Sequence, residues 1–138
     1  MSIDDAIREL RARDESVPTP SRLPTEGEVA AAERVVGQRF PADYRRFLLD
    51  ASDVVFGALE PAVVTPDAGH LDLAAVVRDA RALGVPDDLL PFCEDDGDDY
   101  YCLTPTGAVR FWSHDGLADE SWPDLATWIR DVWIGADA

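Results

Sequence analysis

Residues 89–112, LLPFCEDDGDDYYCLTPTGAVRFW, decide the fold of this chain. They contain three apolar runs, Leu89–Cys93, Tyr100–Thr104 and Ala108–Trp112, and each run has the length and composition of a β-strand. The second and third runs are joined by the turn Thr-Pro-Thr-Gly, residues 104–107, in which Pro presets φ and Gly closes the turn. The stretch therefore predicts antiparallel strands joined by short turns.

Helix signals lie on both sides of these strands. Ser2, Thr25 and Asp72 each precede apolar residues at helical spacing, Pro41 suits the first turn of another helix, and Ser121 is placed to cap the last one. The clearest core-facing stripe, at positions i, i+3, i+4 and i+7, consists of Tyr44, Phe47, Leu48 and Ala51. The last helix is expected to bury Leu125, Trp128, Ile129 and Val132.

The order of the elements predicts an α+β fold. Val54–Leu59 and Ala62–Thr65 add two short predicted strands on either side of Pro61, while the proline-rich stretch Asp14–Pro24 predicts an extended connector. Helices come mostly first and the strands are close in sequence, which favours an antiparallel sheet of about five to six strands packed against helices. We expect one domain over 1–138, with an N-terminal helix and connector at 1–24 and the core at 25–134.

The predicted elements also indicate which side chains form the core and whether the two cysteines are free. The side chains expected to be mostly buried are Phe47, Leu48, Val76, Leu90, Phe92, Val109, Phe111, Trp128 and Ile129. Cys93 and Cys102 are expected to be free, buried thiols. A two-residue turn at Gly97-Asp98 would place them directly opposite each other across a hairpin, whereas a longer loop would not.

Negative charge dominates the composition. The chain carries 12 basic residues, all of them Arg, against 28 acidic ones, for a net charge of −16. The imbalance is strongest in residues 86–138, where only Arg110 and Arg130 face 13 acidic residues. Such a field repels nucleic acids and anionic lipids and attracts basic partners, although solubility alone is an equally good reason for it.

Motifs for catalysis, cofactors or metals are missing from the sequence. No glycine-rich phosphate loop is present, and His70 and His114 have no partner at metal-ligand spacing. Ser113, His114 and Asp115 are adjacent, whereas catalytic triads are assembled from separated segments. The acidic loop fails the calcium-loop register, because position 12 counted from Asp95 is Thr106 instead of Glu. We predict no catalytic residue, no cofactor and no metal site.

The acidic loop and its neighbours are the candidate partner-binding residues. Trp and Tyr anchor interfaces well, and charge next to them would favour a basic protein partner. The predicted contact set is Asp95, Asp96, Asp98, Asp99, Trp112, Asp115 and Glu120. Without a signal peptide or a membrane-length apolar run, the chain is expected to be cytoplasmic, and a monomer or a weak dimer that binds neither nucleic acid nor membrane.

Three segments resemble the SUKH superfamily, the Smi–Knr domain. FPADYRRFLL at 40–49 is similar to the family's helix segment, LPFCEDDGDDYYCL at 90–103 continues the likeness, and Gly107–Val109 with WSHD at 112–115 is similar to a third motif. They occur in the family's order over about residues 25–134. One departure is Ala51-Ser52-Asp53, where the family usually has Asn-Gly.

This resemblance implies a function as well as a fold. It implies an α+β domain with an antiparallel sheet and a non-enzymatic binding role. Many bacterial members look like immunity proteins that neutralise nuclease or other toxins of polymorphic toxin systems, and we favour that role. A regulatory or scaffolding domain is the alternative, and an enzyme would require His114 in a concave pocket beside a perturbed carboxylate.

Overall fold

The computed structural model describes residues 2–15, 17 and 22–135. The elements in chain order are α1 (Ile3–Arg11), α2 (Glu26–Val36), α3 (Ala42–Ala51), α4 (Leu73–Leu83), β1 (Leu90–Asp95), β2 (Asp99–Leu103), β3 (Val109–Ser113), β4 (Gly116–Trp122) and α5 (Leu125–Trp128). Gly69–Leu71 forms one 3₁₀ turn, and Ile129–Ile134 continues α5 as a π-helix. Pro18 and Pro20 of the predicted connector lie outside the described residues. None of the described helices has the length and apolar character to cross a bilayer.

Helices α1, α2 and α4 begin at the capping residues that the sequence predicts. Ser2 Oγ accepts a hydrogen bond from Asp5 N, and Asp72 Oδ2 accepts one from Ala75 N. At the start of α2 both bonds of a capping box are present: Glu28 N donates to Thr25 Oγ1 and Thr25 N donates to Glu28 Oε1. These contacts satisfy backbone donors that a helix N-terminus leaves unpaired.

The capping box at α2 leads to a test by pH. Arg22 Nη1 and Nη2 lie 2.8 and 2.7 Å from the Glu28 carboxylate, and this contact, with the Thr25 N–H bond, lowers the Glu28 pKa from 4.5 to about 2. Glu28 therefore contributes stability that is present above pH 4.5 and is lost as pH falls through about 2. We expect Arg22→Gln to raise the Glu28 pKa in an NMR titration, whereas Arg34→Gln, in the last turn of α2, leaves it in place. If the titration midpoint of Glu28 is unchanged in the Arg22→Gln variant, Arg22 is not the cause of the low Glu28 pKa.

The sheet is an antiparallel meander in the order β1-β2-β3-β4. Strand β1 pairs with β2 from Leu90↔Leu103 to Asp95↔Asp99, and β2 pairs with β3 from Tyr100↔Trp112 to Leu103↔Val109. The β1–β2 and β3–β4 turns consequently lie at one end of the sheet, and the Thr104–Gly107 turn lies at the other. The α+β class with an antiparallel sheet is confirmed, with four strands in the described part of the chain instead of five or six.

The difference in strand number comes from two segments. The predicted strands Val54–Leu59 and Ala62–Thr65 are irregular, because Gly57 takes a φ of +61° and Pro61 has no N–H to donate. Only an isolated bridge from Val63 to Asp72 remains of them. Conversely, β4 was not predicted, since GLADESW at 116–122 has no apolar alternation. The chain reverses at Gly116, whose φ of +108° favours glycine, and pairs with β3.

The buried residues form a large core cluster and a smaller one around Tyr100 and Trp112. Seven of the nine predicted core residues are buried, whereas Val76 and Phe111 are half-buried. Trp128, only 1% exposed, is at the centre of an aromatic group, with its ring centroid 4.9 Å from that of Phe92 and 5.2 Å from that of Tyr101. Helix α1 packs on α3 and α5, so the N-terminal helix contributes to this core.

The last helix differs from the prediction at both ends. Asp124, not Ser121, caps α5, and its Oδ1 accepts a hydrogen bond from Thr127 N at 2.8 Å. Ser121 belongs to β4 instead. After Trp128 the backbone widens into the π-helix, which shifts the side-chain register by one position. As a result Trp133 is buried and Val132 is only half-buried.

Both cysteines are buried and free, but they do not face each other. A bulge between Pro91 and Cys93 pairs Cys93 with Tyr101 and Pro91 with Cys102. Burial raises the pKa of the Cys102 thiol to about 12, and burial followed by the charge of Asp95 raises that of Cys93 as well. Thiolate, the reactive form, is therefore scarce at neutral pH.

The thiols are expected to resist alkylation in the native protein. At pH 8 iodoacetamide should label neither Cys93 nor Cys102 on the timescale on which it labels both in guanidinium chloride, since the native side chains are 0% exposed. Mass spectrometry of quenched samples gives both rates. Rapid labelling of the folded protein would contradict the burial of this part of the sheet.

Candidate partner-binding surface

Two turns bring the predicted acidic residues together at one end of the sheet. The β1–β2 turn begins and ends at the pair Asp95↔Asp99, and the β3–β4 turn lies between the paired residues Ser113 and Gly116. His114 Nδ1 lies 3.8 Å from Asp99 Oδ1, so the two turns are in contact range. We call this surface the acidic end, and it consists of Glu94, Asp95, Asp96, Asp98, Asp99 and Asp115.

The β1–β2 turn has an unusual backbone. Asp96, Gly97 and Asp98 have φ values of +32°, +71° and +68°, so three successive residues lie at positive φ. Asp tolerates this conformation better than most residues because its short side chain bonds locally. Asp98 N also donates to Glu94 Oε2 at 3.3 Å. The turn is thereby held in a shape that leaves the side chains of Asp96 and Asp98 exposed.

The acids of this end surround two tyrosines on opposite faces of the sheet. Burial, followed by the charges of Glu94 and Asp98, raises the pKa of Tyr100 to about 12. Burial also raises the pKa of Tyr101 to about 12, with Asp95 the largest charge acting on it. Negative potential therefore extends over both faces of the sheet at this end.

Little positive charge balances the acidic end. The pKa of Asp95 is raised by burial and then by the charges of Asp96 and Asp99. Among the described residues, no Arg forms an ion pair with a carboxylate of this surface, and His114 is the only basic side chain in contact range. The acidic end is thus a surface of uncompensated negative charge on a hydrogen-bonded scaffold.

Two predicted contact residues lie elsewhere. The prediction for Trp112 is wrong: its side chain is 6% exposed and packs beside Tyr100 at a centroid distance of 6.5 Å, under α4. Strand alternation puts these paired residues on one face, and α4 covers that face. Trp112 supports the acidic end from inside. Glu120 is exposed on β4, where its charge acts on Tyr101.

The acidic end does not have the geometry of a catalytic or metal site. The His114 side chain is 78% exposed on the β3–β4 turn, where little surrounds it to orient a substrate. In the part of the chain that the structure describes, no three His, Cys, Asp or Glu side chains are grouped so as to hold a metal ion. The arrangement instead suits recognition of a positively charged surface.

A concave surface that the sequence analysis missed lies at the opposite end of the sheet. It is a groove of about 940 Å³ next to the Thr104–Gly107 turn. Its apolar walls include Phe40, Pro41 and Pro105, and its charged lining is Glu33, Arg39, Arg45, Asp87 and Asp88. The signal was present in FPADYRRF at 40–47, which supplies one wall, but nothing in the sequence placed the Pro105 turn opposite it. Its mixed charges favour no particular sign in a ligand.

Comparison with known proteins identifies the family. A family model described as SMI1-KNR4 cell-wall, SUKH_5, matches residues 3–134. This chain belongs to the SUKH family. A crystal structure of a protein from Pseudomonas syringae pv. tomato is 41% identical, with a TM-score of 0.90, over 96% of this chain and 98% of that one. No curated protein sequence matches the chain significantly.

The SUKH motifs of this chain have structural roles. The segment at 40–49 forms α3, whose Tyr44, Phe47 and Leu48 are buried in the core. The second motif forms the β1–β2 hairpin, and the third forms β3 with the start of the β3–β4 turn. At the departure from the family pattern, Ser52 Oγ donates to Leu48 O at 2.6 Å and Asp53 Oδ1 accepts from Arg11 Nη1 at 2.7 Å. The first bond closes the end of α3, and the second ties it to α1.

Proposed function

We propose that this SUKH-family domain is an immunity protein, a non-enzymatic module that binds and neutralises a basic toxin domain of a bacterial polymorphic toxin system. The observation that carries the proposal is the uncompensated acidic end, formed by two turns of one sheet. It would act in the cytoplasm, as a monomer or a weak dimer.

Charge complementarity supports this choice of partner. A nuclease binds phosphates through Lys and Arg, so its active-site cleft is basic. Opposite potentials accelerate diffusional encounter, and a net charge of −16 also repels the nucleic acid substrate. An acidic protein that reaches the cleft first would exclude the substrate by occupying it.

The scaffold suits inhibition because it is ordered before binding. The acidic turns are joined to paired antiparallel strands, and the buried Tyr100 and Trp112 pair with each other beside them. Little conformational entropy is then lost on association, which leaves more of the interaction energy for affinity. A rigid acidic end is also unlike the flexible acidic tails that serve solubility alone.

A regulatory or scaffolding role is the second candidate. The observation that favours it is the groove of about 940 Å³ at the other end of the sheet, which the immunity proposal does not use. A groove of mixed charge with apolar walls at Phe40 and Pro105 is a general feature of ligand and peptide sites. In that role the partner would contact this groove.

The deciding experiment combines capture with a toxicity assay. The chain is purified from its native host at low salt, and retained proteins are identified by mass spectrometry. We expect a basic protein that arrests growth when its toxic domain is expressed alone and that is harmless when this chain is co-expressed. A retained protein that is harmless on its own, and that is lost after Arg39→Glu in the groove, would replace the immunity proposal with the scaffolding one.

A further inference from the structure

Strand β4 forms an open edge of the sheet. It pairs with β3 on one side, and no other strand of the described chain pairs with its outer side. It is seven residues long, and Leu117 is 44% exposed while Asp119, Glu120 and Ser121 are exposed as well. Alternate residues of such a strand direct their N–H and C=O groups away from the sheet, where another chain can pair with them.

The edge is protected against a second copy of this chain. Asp119 and Glu120 lie side by side on β4, and the strand bulges opposite Phe111, between the pairs Arg110↔Ser121 and Trp112↔Leu117. Bulges and charges are devices that prevent edge-to-edge pairing. However, the exposed charged side chains of the edge, Asp119 and Glu120, are both negative, so they repel another acidic strand and attract a basic one. The edge is therefore protected against acidic strands and remains open to basic ones.

We propose that the outer edge of β4 is a strand-addition site for an extended, Arg- or Lys-rich segment of the partner. Main-chain hydrogen bonds would supply affinity, Leu117 an apolar contact, and Asp119 with Glu120 the selection for basic side chains. The identity of the partner as a basic protein rests on the proposed function. The partner segment would dock by backbone pairing with β4, which follows Asp115 of the acidic end directly in the chain.

The bulge is held in a defined shape, which determines where pairing takes place. Arg110 Nη2 reaches across from β3 and donates to Ala118 O at 3.0 Å. This bond occupies the carbonyl of Ala118, which lies within the bulged stretch between Leu117 and Ser121. A docked segment therefore pairs along one side of the bulge, next to Leu117 or next to Ser121, instead of along all seven residues.

Two peptides test the backbone pairing separately from the charge. The probe is an end-capped eight-residue peptide that alternates Arg and Val, and its control is the same peptide with every backbone nitrogen methylated, which keeps the charge but removes the donors. By titration calorimetry at low salt we expect the unmethylated peptide to bind at least about ten-fold more tightly. It should also slow hydrogen exchange of β4 amides. Equal affinity of the two peptides, or protection outside β4, overturns the proposal.

A matched pair of variants tests the two acids of the edge. Asp119→Asn with Glu120→Gln is compared with Glu26→Gln with Asp131→Asn, which removes the same charge from exposed residues outside both the sheet edge and the groove. Only the first pair should weaken the peptide complex, by about ten-fold. If the captured partner binds the Asp119/Glu120 variant normally while reversal of the acidic end abolishes binding, the edge proposal is wrong and the proposed function stands. If no basic partner is found, the peptide result still decides the edge.

Discussion

Replacing Trp128 by Ala is expected to lower the free energy of unfolding by about 3–5 kcal/mol, the cost of removing a large buried side chain and leaving a cavity. Trp128 is 1% exposed and its ring packs against Phe92, Tyr101 and Trp133, so three elements lose a shared contact. Domains of this size have a total stability of roughly 5–15 kcal/mol. The variant is thus expected to be close to unfolding at 37 °C, as urea denaturation monitored by circular dichroism would show.

Two controls separate cavity formation from other effects. Trp128→Phe keeps most of the ring volume and removes an indole N–H that has no hydrogen-bond partner among the described residues, so it should cost much less than Ala. Leu83→Ala truncates a side chain that is 46% exposed and should change stability by less than about 1 kcal/mol. If Trp128→Ala is no more destabilising than Leu83→Ala, the aromatic group is not the centre of the core.

Reversal of three charges at the acidic end is expected to have the largest effect on binding. The change of Asp95, Asp98 and Asp99 to Arg should weaken partner binding on the order of 100-fold at low salt, mainly through the association rate. The reason is that long-range attraction steers encounter, whereas close contacts govern dissociation. Surface plasmon resonance at several salt concentrations measures both rates. The salt dependence of the variant should be weaker than that of the wild type, or reversed.

A second variant is needed because the charge reversal also affects the backbone conformation of the turn. Asp98 has a φ of +68°, which Arg adopts less readily than Asp does, so the reversal also strains the turn. Changing the same three residues to Asn removes the charge and retains a residue that tolerates this conformation. Reversal of Glu26, Asp79 and Asp131 to Arg changes the net charge equally, at exposed positions outside both the acidic end and the groove. If both sets of reversals affect binding equally, only net charge matters and the acidic end is not the recognition surface.

The candidate surface was predicted in part. Adjacent residues in a turn must lie together, so Asp95, Asp96, Asp98 and Asp99 were predictable as one cluster. Asp115 joins them because a meander places alternate turns at the same end of the sheet. Trp112 was placed wrongly, since its exposure depends on which face α4 covers. That choice follows from packing between distant segments and leaves no periodic signal in β3.

Local chemistry in the sequence by itself determined the caps of α1, α2 and α4, the strands β1 to β3, the α+β class and the concentration of negative charge. These features depend on residues a few positions apart: a cap such as Thr25 needs only Glu28, and the turn at 104–107 needs only its Pro and Gly. The tertiary structure alone decided the fourth strand, the burial of Trp112 and the irregular course of 54–65. It also decided the groove beside Phe40 and Pro105. Each of these depends on long-range contacts, since a polar strand such as β4 forms only when β3 offers its edge, and a side chain is buried only when another element covers it.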